Sequence, residues 1–282
     1  MIEVRYRPGT GGEFLLNRSY EIAIKECNPH STAWTYESVA RKYGIEITSF
    51  GKDPIELSMV FKFRGSEGTI SENLNEFFEA CEKDILEMKQ GTLYIGEQYL
   101  KGYFIQRETV PSEEFYGYEQ SGVFLAPYPF YITEETRQFP PISAGDVEEE
   151  FLDYEYDYDY DYTAQDGGNI IWQVDHFAPC EFLMTIFGPA VNPYVTINGH
   201  IYQVYTELSD NEYLKIDSRE NSIVKYLANA TQQDIYDLRR KDQSVFDPIT
   251  PGSISVVWPG EYGIDLTLFC ERSEPRWKTP GS

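Results

Sequence analysis

The 282-residue chain lacks any apolar run approaching the ~18 residues that suggest a membrane-spanning helix, so no membrane insertion is expected. Its first residues, MIEVRYRPGTGG, carry no apolar core of a secretory signal. Histidine is scarce: His30, His176 and His200 are too scattered to argue for a metal site. The four cysteines (Cys27, Cys81, Cys180, Cys270) form no CxxC pair, which argues against structural zinc. Buried thiols in a reducing compartment are the expectation instead. Cationic residues are few, 23 Lys and Arg against 47 Asp and Glu, giving a net charge of −24. With no basic cluster, such a chain repels nucleic acid rather than binding it specifically. Signatures of catalysis are absent too. The glycines at 9–12 are not followed by Lys-Ser/Thr, so they form no phosphate loop. Asp175-His176 offers half of a triad, but no Gly-x-Ser-x-Gly elbow accompanies it. Nothing calls for a cofactor. A glycoside hydrolase needs only two carboxylates without a local signature, and it stays open as the enzymatic alternative.

Aromatic residues are plentiful, with 23 Tyr and 17 Phe. Together with β-branched residues they favour strands, half-buried packing and interfaces. Ile55, Leu57, Met59, Phe61 and Phe63 alternate with Glu56, Ser58, Val60 and Lys62, the pattern of a strand with one dry face. Shorter strands are expected at 20–25, 45–48, 92–95, 99–105 and 121–126, and residues 35–43 read as a short helix or an irregular connection. The clearest helix is predicted over 72–89, with Ser71 as N-cap and Gly91 as stop. Leu74, Phe77, Phe78, Cys81, Ile85 and Met88 would form its apolar stripe. The second half reads as nearly all β. Asn198-Gly199 signals a two-residue hairpin that pairs Ile197 with His200 and Val195 with Tyr202. Ile254, Val256 and Trp258 alternate, as do Ile264, Leu266, Leu268 and Cys270, while 231–240 suggests a helical turn. Strands at this spacing suggest a sandwich or jelly-roll. The fold class is therefore mainly β: a β-rich α+β domain over 1–140 with one amphipathic helix, and an antiparallel sandwich over 169–282.

Residues 141–168 separate the two, between Pro140-Pro141 and Gly167-Gly168. The tract from Tyr154 to Tyr162 alternates Tyr with Asp or Glu. In an extended strand this puts Tyr154, Tyr156, Tyr158, Tyr160 and Tyr162 on one face and the carboxylates on the other. Three readings fit it. Asp157-x-Asp159-x-Asp161 opens like a calcium loop, but Tyr162 stands where the loop needs Gly and Gly168 where it needs Glu. The second reading is a strand whose Tyr face docks on a domain or neighbouring subunit, and the third is a solvated acidic linker. Trp277, in a terminal Glu-Pro-Arg-Trp, is a further docking candidate. Trp172, Trp258 and Trp277 also raise sugar stacking, although Trp258 alternates with core residues.

Several short motifs stand in a definite order and spacing along the chain. In the second half these are Gly188-Pro189, Asn192-Pro193, Ile197-Asn198-Gly199, Ile216-Asp217-Ser218, Pro251-Gly252, Val257-Trp258-Pro259-Gly260 and Ser273-Glu274-Pro275-Arg276-Trp277. In the first half they are Phe50-Gly51-Lys52-Asp53-Pro54, Phe63-Arg64-Gly65, Tyr99-Leu100-Lys101-Gly102-Tyr103 and Phe124-Leu125-Ala126-Pro127-Tyr128-Pro129. In order and spacing these motifs resemble the distal tail proteins of long-tailed bacteriophages, and the resemblance implies a ring-forming N-terminal domain followed by a galectin- or jelly-roll-like domain. It also implies a hexameric ring in the virion, at the tail tip, assembled from protein made in the host cytoplasm. The partners it implies are the tail tube protein, a tail-associated lysin or hub protein, and a receptor-binding protein. DNA would pass through the channel without being bound. A carbohydrate-binding sandwich that recognises the host envelope is the alternative function.

Overall fold

The computed structural model describes residues 3–16, 22–114, 116–142 and 168–276. It is mainly β, with a single α-helix among the described residues. The chain divides into two units, Met1–Thr133 with Glu271–Ser282, and Glu134–Cys270. The expected 141–168 segment lies almost wholly outside the described residues.

The first unit contains β1 (Val4–Arg7), β2 (Phe14–Leu15), β3 (Ile22–Cys27), β4 (Thr35–Ala40), β5 (Ile45–Gly51), β6 (Ile55–Arg64), α1 (Glu67–Leu86), β7 (Gly91–Ile95), β8 (Gln98–Pro111), β9 (Gly117–Ala126) and the start of β10 (Tyr131–Phe139). The long strand β8 organises it. Gln98–Gly102 pair with β7, and Tyr103–Pro111 pair with β9, which continues through β6 to β3. The change of partner falls where Gly102 meets β9. A Cβ there would lie 2.0 Å from the Leu125 carbonyl oxygen, so only glycine fits. The alternation read in β6 is present: Leu57, Met59, Phe61 and Phe63 are buried. With Tyr6, Phe77, Phe104 and Phe124 they build an aromatic core of largely edge-on rings, with Phe77–Phe104 centroids 5.4 Å apart.

Helix α1 begins and ends earlier than predicted. Its cap is Ser66, whose Oγ accepts from the Thr69 N–H, while Ser71 sits inside the helix and donates to the Glu67 carbonyl. It stops before Gly91 because Met88 takes a left-handed φ of 53° and the Lys89 N–H reaches back to the Asp84 carbonyl. The buried seam is Ile70, Phe77, Cys81 and Asp84. Phe78, Ile85 and Met88 lie to one side of it and are exposed. Asp84 occupies a seam position by accepting from the Tyr6 hydroxyl and from the Thr10 N–H at 3.1 Å.

The second unit is an antiparallel sandwich. It contains the end of β10, then β11 (Gly168–Val174), β12 (Glu181–Phe187), β13 (Ala190–Val191), β14 (Tyr194–Ile197), β15 (His200–Gln203), β16 (Glu207–Leu208), β17 (Tyr213–Asp217), β18 (Ser222–Tyr226), β19 (Gln232–Asp234), β20 (Gly252–Trp258) and β21 (Ile264–Cys270 of a strand reaching Arg272). One layer runs β19-β18-β17-β12-β21 and the other β11-β20-β14-β15. Their inner faces supply Phe182, Met184, Ile186, Leu214, Ile216, Ile254, Val256, Trp258, Leu266 and Leu268. The Asn198-Gly199 hairpin has the expected register, Ile197 opposite His200 and Val195 opposite Tyr202. Within 231–240, β19 is followed by a single 3-10 turn at Tyr236–Leu238.

Candidate docking surface

The feature that sequence reading missed is the hairpin β4–β5. Residues 35–43, expected as a short helix or irregular connection, instead form all of β4 and the start of the turn into β5, whose strand was expected at 45–48. Thr35, Tyr36 and Val39 are β-favouring residues, and Gly44 at φ 79° closes the turn as the Arg41 N–H donates to the Gly44 carbonyl. Among the described strands, β4 and β5 pair only with each other. Every residue of both is exposed. Their register slips between Glu37 and Ser38, where Thr48 is the extra residue of a bulge.

The bulge decides which side chains share a face. Tyr36 lies opposite Phe50, Ser38 opposite Ile47 and Ala40 opposite Ile45. These six share one face, apolar but for Ser38, while Glu37, Glu46 and Ser49 lie on the other with Val39. Without the bulge Phe50 would point away from Ile47 and Ile45. The polar face is tied together by the Ser49 hydroxyl donating to Glu37 at 3.0 Å and by the Arg41–Glu46 ion pair. Tyr36 is 57% exposed, Ile47 46% and Phe50 65%. Residues 31–52 hold Arg41, Lys42 and Lys52 against Glu37 and Glu46, a net positive charge in a chain of −24.

The root of the hairpin is fixed by Lys52. Its ammonium donates to the Thr32 hydroxyl at 2.8 Å and to the Ser273 carbonyl at 3.1 Å. It also lies 5.5 Å from the Trp34 ring centre and 5.2 Å from that of Phe130. Partial desolvation holds the Lys52 pKa below the ordinary lysine value, opposed by the charge of Glu274. An apolar face on a hairpin with an anchored root can be presented to a partner without the arm itself having to order.

The candidates read from the sequence stand apart from this surface. Tyr154, Tyr156, Tyr158, Tyr160, Tyr162 and Trp277 all lie outside the described residues. Trp172 and Trp258 are core residues packed near Phe139, and the Trp258 indole donates to the Tyr262 carbonyl at 3.1 Å. Neither offers a face for stacking sugar. His200 donates to the Ser244 carbonyl at 2.7 Å and packs on Tyr202, which gives it a place in the sandwich edge.

No family model matches the chain, and no curated protein matches it in sequence. Solved structures do match in fold. The Dit (gp 19.1) protein of phage SPP1, described as a paradigm of hub adsorption apparatus in Gram-positive-infecting phages, aligns at TM-score 0.60 and 10% identity, covering 95% of this chain and 99% of its own. A component of the phage P2 baseplate in its activated conformation with calcium aligns at 0.62 and 10%, covering 98% of this chain and 100% of its own. The strontium form of that baseplate gives 0.60 and 11%, with the same coverage. The chain has the fold of phage tail hub proteins. The likeness spans both units, so the resemblance seen in scattered motifs holds for the fold from one end of the chain to the other. At such low identity it is carried by architecture and not by retained side chains.

Proposed function

We propose that this chain is a structural virion protein, a distal tail or baseplate hub adapter that closes into a hexameric ring. The observation that carries the reading is the near end-to-end fold match to hub proteins. The ring would join the tail tube on one side to a tail-associated lysin, fibre or receptor-binding protein on the other, with DNA passing through its centre. Its work is assembly, and no catalytic step is invoked.

Ring closure needs a heterologous contact, in which one surface of a copy meets a different surface of the next at a fixed angle. The apolar face of β4–β5 supplies one such surface in this proposal. Its local positive charge lessens the repulsion that copies of −24 otherwise feel on approach. The acidic tract with Tyr154–Tyr162, and Trp277, are proposed as secondary docking segments. Immunogold labelling of purified particles with antibodies to this chain tests the assignment. Gold at the tail tip is expected; particles without label, or label on the capsid, would refute it.

A further inference from the structure

Cys180 and Cys270 are ninety residues apart in sequence, yet their sulfurs lie 3.7 Å from each other inside the sandwich core. Both are thiols. Their backbone setting is specific. Glu181 pairs with Phe269 across β12 and β21, so the next register step sets Cys180 opposite Cys270. The Cys180 N–H donates to the Ile249 carbonyl, and its carbonyl accepts from the Ile249 N–H, both at 2.9 Å. Phe182 likewise turns its backbone groups away from β21, toward Ser218. Cys180 and Cys270 are therefore a non-hydrogen-bonded antiparallel pair, whose Cα atoms sit about 4.5 Å apart with side chains on one face. That spacing falls within the range of roughly 4.4–6.8 Å that a disulfide spans.

We propose that Cys180 and Cys270 are a latent disulfide, reduced while the chain is made and closed once it meets a low-molecular-weight disulfide outside a reducing compartment. The physiological occasion, release of tails from the host cytoplasm, rests on the tail-hub reading; the chemistry of the pair does not. The Cys270 thiolate attacks one sulfur of glutathione disulfide and releases one glutathione. Cys180, after losing its proton, attacks the Cys270 sulfur and releases the second glutathione. Each glutathione leaves as a thiolate and takes up a proton, so the two protons and two electrons lost by the cysteines end on the two glutathione molecules. The hydrogen bond with Cys180 holds the Cys270 pKa below the ordinary thiol value, which favours Cys270 as first attacker. Cys270 is 6% exposed and Cys180 1%, so Cys270 is the sulfur that a small disulfide reaches first. Cys81 is buried in the other unit and Cys27 is half-buried there, and they serve as internal controls.

The test incubates the purified full chain with glutathione buffers of increasing oxidised fraction. Remaining thiols are alkylated under denaturing conditions, and the non-reduced digest is mapped by mass spectrometry. A peptide joined through Cys180 and Cys270 is expected, with the intact mass lower by two hydrogens and with Cys27 and Cys81 fully alkylated. Cys270→Ser should lose the joined peptide, and the oxidised wild type should melt higher than the reduced one, reversibly with dithiothreitol. Four alkylated cysteines in the most oxidising buffer would overturn the proposal. So would a glutathione adduct persisting on Cys270, which would mean that Cys180 cannot reach it. Because the purified chain is used, either result stands whether or not the chain is found in tails.

Discussion

Replacing Tyr36, Ile47 and Phe50 together by Ser should separate assembly from folding. The three side chains share the apolar face of β4–β5 and are 57%, 46% and 65% exposed. Burying a large apolar side chain completely contributes about 1.5–3 kcal/mol. About half of each side chain remains available to a partner, so each should contribute roughly 1 kcal/mol to a contact between copies. The sum, about 3 kcal/mol per interface, corresponds to about a 100-fold rise in the dissociation constant. Folding should change by no more than about 1 kcal/mol, the worth of the cross-strand Tyr36–Phe50 pair, because every residue of the hairpin is exposed. Size-exclusion chromatography with light scattering gives the assembly state across a concentration series, and urea unfolding of the dilute monomer gives stability. The reasoning is refuted if the triple variant assembles like the wild type. It is equally refuted if the monomer loses several kcal/mol, since the face would then be packed within the chain.

Assembly should also respond to salt: at −24 per copy, low ionic strength should favour dissociation, and raising it toward 0.5 M should favour larger species by light scattering. Asp84→Ala leaves the Tyr6 hydroxyl and the Thr10 N–H without their acceptor inside the first unit, which should cost about 1–3 kcal/mol in urea unfolding. Gly102→Ala forces a Cβ against the Leu125 carbonyl and should cost about 1–3 kcal/mol by the same measurement, with α1 unaffected by circular dichroism. Alkaline pH should destabilise the fold: burial pushes the Cys81 thiol up to about 12, and it raises Tyr6, Tyr131, Tyr202 and Tyr262 as well. The unfolded thiol releases its proton near pH ~8.5 while the folded one keeps it. Stability is thus fully present below that pH and is lost as pH rises through about 12, so the melting temperature should fall across this window and fall less steeply in Cys81→Ala.

Much of the architecture was legible because it obeys short-range rules. The period of two in β6 needed only its own ten residues, and Asn198-Gly199 set the register of β14 with β15 by turn geometry alone. The helix was found but misplaced. Asp84 looked like a solvent residue, since the Tyr6 and Thr10 groups that hold it lie more than seventy positions away in sequence. Phe78, Ile85 and Met88 looked like core because apolar character marks a face without saying whether a neighbour covers it. The β4–β5 hairpin was missed for a related reason. Its second strand was expected at 45–48 but its first was not, because Tyr36, Ser38 and Ala40 make a weakly apolar alternation, and the bulge at Thr48 hid the match of Phe50 to the face of Ile45 and Ile47. Gly44 after Arg-Lys-Tyr was the available turn signal. The thiol pair was invisible in sequence because only the pairing of β12 with β21 brings Cys180 and Cys270 together.

The most direct test of the central claim is electron microscopy of the purified chain, alone at high concentration and mixed with a phage tail tube protein encoded beside it, with light-scattering mass on the same samples. The account predicts six-fold rings with an open centre, seated on the end of the tube where tube is present. Monomers under both conditions, with tube ends left bare, would contradict it.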